Sequence, residues 1–274
     1  MDPDFVRFED SLYGDFVEDI IFELKDLDFW VDRIIKLPRF RPLCIDKAVN
    51  LCVDYCKNNG FRQQLLEKAL ECPVLIYRLF KKGILAIDEV FRYTMNRSSL
   101  VYCYYFREHI EGFESFISNK MELFDDEYDK SYLDANIEAL IEYGFVPSSI
   151  EYCLKYDDFE VFREILGSEP RDIMWSPFEW SARPKSFAIL NFSAFFGSIN
   201  CFKHLLLNGY EINNKIKYFA ICSGSMDIFR LCGEGEFNLS KCLFKAVECC
   251  RLSFLAFLVD NGAKINTKEY NRIF

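Results

Sequence analysis

A glycine-anchored unit recurs in the C-terminal part of the chain. Aligning "SAFFGSINCFKHLLLNGYEIN" (193–213) with "AICSGSMDIFRLC" (220–232) superposes Gly197 on Gly224. The next segment, "AVECCRLSFLAFLVDNGAKIN" (246–266), brings Cys250 to the same place, so the anchors are 27 and 26 residues apart. In the first and third copies a second glycine, Gly209 or Gly262, follows the anchor by 12 residues, and the endings "NGYEIN" and "NGAKIN" nearly coincide. A weaker copy, "SIEYCLKYDDFEVFREIL" (149–166), is anchored near Asp157, and "ANIEALIEYGF" before it reads as a helix ending at Gly144. Asp157 precedes Gly197 by 40 residues, which leaves room for an inserted segment containing "MWSPFEWSARP". Units this short cannot bury a core alone and must stack on their neighbours. The pattern therefore predicts helix pairs, with the anchor at the turn between the two helices and the second glycine as the closing cap.

The rest of the chain agrees with packed helices. Of its 274 residues 51% are apolar and 28% charged, enough for a substantial core, and Phe (29) far outnumbers Gly (12) and Pro (8). In "IDKAVNLCVDYC" the residues Ala48, Leu51, Cys52 and Tyr55 form one helical stripe. "FRQQLLEKALE" stops at Pro73, "VLIYRLFKKG" ends on two lysines before Gly83, and "AIDEVFRYTMN" and "SSLVYCYYFREHI" follow at similar length. The acidic "MELFDDEYDK" (121–130) reads as an exposed loop or helix edge. The expected fold is all-α: a helical leader over 1–174, with possible degenerate repeats, then compact helix pairs over 175–274.

The C-terminal pattern resembles the ankyrin repeat, carried by Ser193, Ala194, Gly197, Asn200, Leu205, Leu206, Gly209, Ile212 and Asn213. It departs from that repeat in length, about 33 residues there, and in the Thr-Pro-Leu-His start, which here reads Ala188-Ile189-Leu190-Asn191 and Lys241-Cys242-Leu243-Phe244. More particularly, "WSPFEWSARP" through "FLVDNGAKIN" resembles a short-repeat domain of unknown function found beside ankyrin repeats in large gene families of parasitic protists. The resemblance implies an α-solenoid whose work is non-covalent protein recognition.

Charge and motifs narrow the function classes. Residues 181–274 carry 12 Lys/Arg against 7 Asp/Glu, a net of +5, which leaves −15 for residues 1–180. An acidic front and mildly basic back argue against nucleic-acid binding, which needs a basic face, and allow weak head-to-tail self-association. The start "MDPDFVRFED" lacks the features of a secretory signal, and the longest uncharged run, Ser186 to Phe202, is 17 residues, short of a membrane span. The expected location is intracellular, in the cytoplasm, with the 12 Cys as reduced, mostly buried thiols.

No chemistry stands out. The two histidines, His109 and His204, have no sequence partners; Cys201 sits on the same helix as His204, whereas catalytic pairs come from different segments. Cys232, Cys242, Cys249 and Cys250 fit no zinc spacing. Gly233-Glu234-Gly235 lacks the strand and further glycine of a phosphate loop. The reading is a protein without catalytic, cofactor-binding or metal-ligating residues, acting as an interaction scaffold or adaptor for a protein partner, with a capping or self-assembly module as alternative and a Cys/His metalloprotein or enzyme as the less favoured one. Candidate partner-facing residues are Lys215, Lys217 and Lys241. Trp175, Phe178 and Trp180 form either an exposed aromatic anchor or a plug between leader and repeats, the plug being preferred.

Overall fold

The computed structural model describes residues 27–264 apart from 42, 58, 69–70, 95–99, 122–129, 168–171, 177, 180–185, 234–236 and 250. All but the two ends of the acidic stretch 121–130, Trp180 and the anchor Cys250 thus lie outside the described residues. The protein is mostly helical. Its helices are α1 (Leu27–Phe40), α2 (Ile45–Tyr55), α3 (Asn59–Glu67), α4 (Pro73–Lys81), α5 (Ile87–Thr94), α6 (Leu100–Tyr105), α7 (Phe113–Met121), α8 (Lys130–Tyr143), α9 (Ile150–Tyr156) and α10 (Phe159–Ile165). After a strand pair come α11 (Ile189–Phe196), α12 (Ile199–Leu207), α13 (Ile216–Ser223), α14 (Met226–Leu231), α15 (Leu239–Glu248) and α16 (Leu252–Asp260).

Local signals set the helix ends. Pro73 opens α4 in the first turn, where its missing N–H costs nothing, and Gly83 follows the helix at φ +70°. The sequence treated Pro73 as the stop of the preceding helix; α3 has already ended at Glu67, and Pro73 acts as the start of the next. Ser149, Asp158, Ser225 and Asn238 cap α9, α10, α14 and α15 with side-chain oxygens.

The anchors fall on one recurring turn. Asp157, Gly197 and Gly224 each end a helix in the left-handed conformation, at φ 55°, 79° and 82°. The residue after each donates its N–H five residues back: Asp158 to Cys153 O, Ser198 to Ser193 O, Ser225 to Ala220 O, and likewise Arg251 to Ala246 O. This is the longer of the two bonds of a Schellman cap, repeated four times. The second helices α12 and α16 close with the same bond at Gly209 and Gly262, from Tyr210 to Leu205 O and from Ala263 to Leu258 O.

Packing follows this repetition. α9, α11, α13 and α15 lie one against the next, and so do α10, α12 and α14. In the leader alternate helices also pack together, α1 with α3 with α5, and α2 with α4 with α6. All eight residues of α11 are buried. That helix is flanked by α9 and α13, backed by α12, and covered by a two-stranded antiparallel pair, β1 (Asp172–Met174) with β2 (Ser186–Ala188). The strand pair was not foreseen from the sequence. It explains why the run from Ser186 to Phe202 needs no charge, since most of it is interior.

Consecutive pairs latch reciprocally. The Asp157 carboxylate accepts from Asn200 N (3.1 Å), Cys201 N (3.0 Å) and Asn200 Nδ2 (2.9 Å), so it caps the start of α12 from the preceding pair. Ser198, which occupies the local cap position, instead donates its hydroxyl back to Leu154 O of α9. At the last joint Arg251 reaches back to Ile221 O (3.2 Å) and Cys222 O, and a β-carbon on Gly224 would lie 2.6 Å from its Nη1. Asp157→Ala is expected to cost about 1–2 kcal/mol, from a lost cap and a less tolerant left-handed residue, and Asp157→Asn markedly less. Urea unfolding midpoints of the two variants check this.

Among the described residues, buried side chains form two clusters. One runs from Val31 to Leu140 and includes Phe178; the other runs from Phe145 to Leu258.

Candidate functional site

The segment Trp175–Glu179 joins the two clusters. The Trp175 ring packs against Phe145, Phe187, Phe192, Phe195 and Phe196, with centroids 5.2–6.3 Å away. Its indole N–H is buried without a hydrogen-bond partner. Phe178 points into the other cluster, edge-on to Tyr104 (6.2 Å) and Tyr105 (5.7 Å). Both rings are buried, so neither serves as an exposed anchor, and the plug reading fits these two residues.

Next to this clasp lies a cleft of about 290 Å³ between the clusters. Lys155 of α9 and Glu179 form its deepest charged pair, at 2.5 Å, with side chains 11% and 8% exposed. Lys155 Nζ also donates to Tyr143 O (2.7 Å) and lies over the Phe145, Tyr156 and Phe196 rings. Glu179 can approach because Gly144 has no side chain; a β-carbon there would sit 2.6 Å from Glu179 Oε2. At the rim Arg78 donates to Asp46 and to Glu142 O, and the buried Arg41 donates across to Cys249 O, beyond the end of α15. Lys155, Glu179, Arg78, Asp46 and Arg41 of the cleft are thus paired with protein groups. Arrangements of this kind hold two bodies together.

The lysines separate. Lys215 and Lys241 are exposed, at the start of α13 and on α15. Lys217 is not partner-facing: it is 7% exposed, donates to Gly233 O at 2.6 Å, and lies over the Phe229 (4.8 Å) and Phe237 (4.1 Å) rings. A buried ammonium is tolerable there because a helix-terminal carbonyl and two aromatic faces replace its water.

Other exposed features escaped the sequence reading. Ile165, Leu207, Leu231 and Val259 are exposed at the C-terminal ends of α10, α12, α14 and α16, Leu207 at 86%. The repeat register carries the signal, since each lies in the last turn of a second helix. Tyr143, Tyr152 and Tyr156 form a contacting trio with centroids 4.7–6.4 Å apart beside the cleft.

The two imidazoles lie apart. His204 packs against the edges of Phe159 and Phe162, while His109 sits against Phe80 in the other cluster. Burial, followed by the nearby Asp157 carboxylate, pushes the Cys201 thiol up, opposite to an activated nucleophile. Burial likewise raises Cys232 and Cys242 to about 11. Among the described residues no group of three His, Cys, Asp or Glu side chains is placed to hold a metal ion, and no helix is long and apolar enough to cross a membrane.

No protein-family model, curated protein or solved structure matches the chain.

Proposed function

We propose that the protein is an intracellular interaction scaffold, an α-solenoid of shortened ankyrin-like helix pairs that recognises a protein partner without chemistry of its own. The observation that carries this reading is the four-fold recurrence of one helix–helix turn, with like helices packed in sequence behind it. Such arrays present extended surfaces, the usual platform for protein recognition. The alternate-helix packing of the leader supports reading it as degenerate pairs of the same kind. The described cysteines are in the thiol form, which suits a reducing compartment.

Two faces are available to a partner: the first-helix side bearing Lys215 and Lys241, and the second-helix ends bearing Leu207 and Val259. A photo-crosslinking residue placed at position 241 or 207 of the full chain, in native lysate, tests the proposal. A discrete adduct with another protein at one of these positions, absent from a control at exposed Lys57, is the expected result. Absence of adducts at both would contradict it, and an adduct with a second copy of the chain would favour self-assembly instead.

A further inference from the structure

Cys222 lies near the end of α13, and Cys249, 27 residues later, directly follows α15, the helix packed against it. Both are buried, and their sulfurs are 3.6 Å apart, the Cys249 S–H donating to Cys222 Sγ. Two cations attend them: Arg251, donating to the Cys222 carbonyl, and the half-buried Lys245, paired with Glu248 at 2.7 Å.

This arrangement makes the two thiols unequal. The hydrogen bond from Cys249 holds the Cys222 thiol below its ordinary value against the opposing effect of burial, with help from Lys245 and Arg251. Burial and then the same bond push Cys249 up. Burial opposes the Lys245 charge, but the two sulfurs and Glu248 outweigh it and hold its ammonium above the usual range. Every other described cysteine with a resolved direction is pushed up by burial, including Cys44, Cys72 and Cys153. Of the described thiols with a resolved direction, Cys222 alone is held down, which favours its reaction as thiolate.

We propose that Cys222 and Cys249 are an oxidisable pair, modified by a small hydroperoxide, whose disulfide covalently joins consecutive helix pairs. The Cys222 thiolate attacks one peroxide oxygen; the S–O bond forms as the O–O bond breaks, and the departing hydroxide leaves as water with the proton Cys222 had released. The Cys249 sulfur then attacks the Cys222 sulfur. The S–S bond forms, the S–O bond breaks, and the hydroxyl leaves as water with the Cys249 proton. Two thiols and one hydrogen peroxide become one disulfide and two waters. Closing the 3.6 Å gap to a bond of about 2.05 Å requires the two residues to move toward each other. Burial restricts the oxidant: sulfurs of residues only 2% and 0% exposed exclude a peptide disulfide such as oxidised glutathione and call for an oxidant of about water size.

The full chain, reduced and then treated with hydrogen peroxide or oxidised glutathione, is alkylated and mapped by mass spectrometry without reduction. Peroxide is expected to link peptide 218–230 to peptide 246–251 through Cys222 and Cys249 in most molecules, and to raise the unfolding temperature by several degrees. Fragmentation separates Cys249 from its neighbour Cys250, and Cys250→Ser should leave the link intact. Both thiols remaining alkylatable under peroxide that fully oxidises free glutathione would overturn the proposal. Linkage through Cys250, or equal linkage by oxidised glutathione, would overturn it too. Because the measurement is made on the unsubstituted chain, it does not depend on any variant folding.

Discussion

Trp175→Ala is expected to destabilise the protein by about 3–5 kcal/mol, the cost of emptying a large aromatic site that its surroundings cannot refill. Five phenylalanine rings converge on Trp175 from α11, from β2 and from the turn after α8, so collapse around the void would break several ring contacts together. Trp175→Phe should cost much less. It retains a ring in the same place and removes the buried indole N–H that has no partner, a group whose desolvation opposes folding. Denaturant unfolding of the two variants measures the difference. Similar losses for both would mean that the indole's full bulk, rather than aromatic filling in general, sets stability there. Any effect of Trp175→Ala on partner binding should follow the loss of fold, because the ring has no exposed face for a partner to meet.

The second large effect is expected at the Lys155–Glu179 pair. Glu179→Gln removes the negative charge opposite the buried Lys155 ammonium and leaves it only neutral acceptors and three aromatic faces, and should cost about 3–5 kcal/mol, as loss of one charge of a buried pair does. Replacing both residues, as Lys155→Met with Glu179→Gln, removes the stranded charge and should recover most of the loss. A double-mutant cycle by urea unfolding reads the coupling. Near-additive losses would show that the pair does not act as a unit in holding the two clusters together.

These two predictions concern residues that the sequence brought to notice only in part. The spacing of Gly197 and Gly224 was legible because a left-handed turn favours glycine, and glycine is rare in this chain. Asp157 could be aligned with them, but its second role was hidden. Its carboxylate acts 43 residues away, on the backbone of Asn200. The same limit hid Lys217, whose partners Gly233 and Phe237 lie beyond the helix that follows it, and Arg41, whose partner is at Cys249. A charged residue reads as exposed until the carbonyl that receives it is known. The strand pair was illegible because each strand has three residues, too few for an alternating pattern to show. The plug, by contrast, was legible from composition: aromatic residues concentrated between two helical regions have few ways to avoid water other than filling the joint.

Hydrogen exchange on the Trp175→Ala chain, compared peptide by peptide with the unsubstituted chain, tests the layered account most directly. If helix pairs are stabilised mainly by their neighbours, protection should fall most in 189–196, next in 150–156 and 216–223, less in 239–260, and least in 45–81. Equal loss over all these segments would show a single cooperative core and contradict the array.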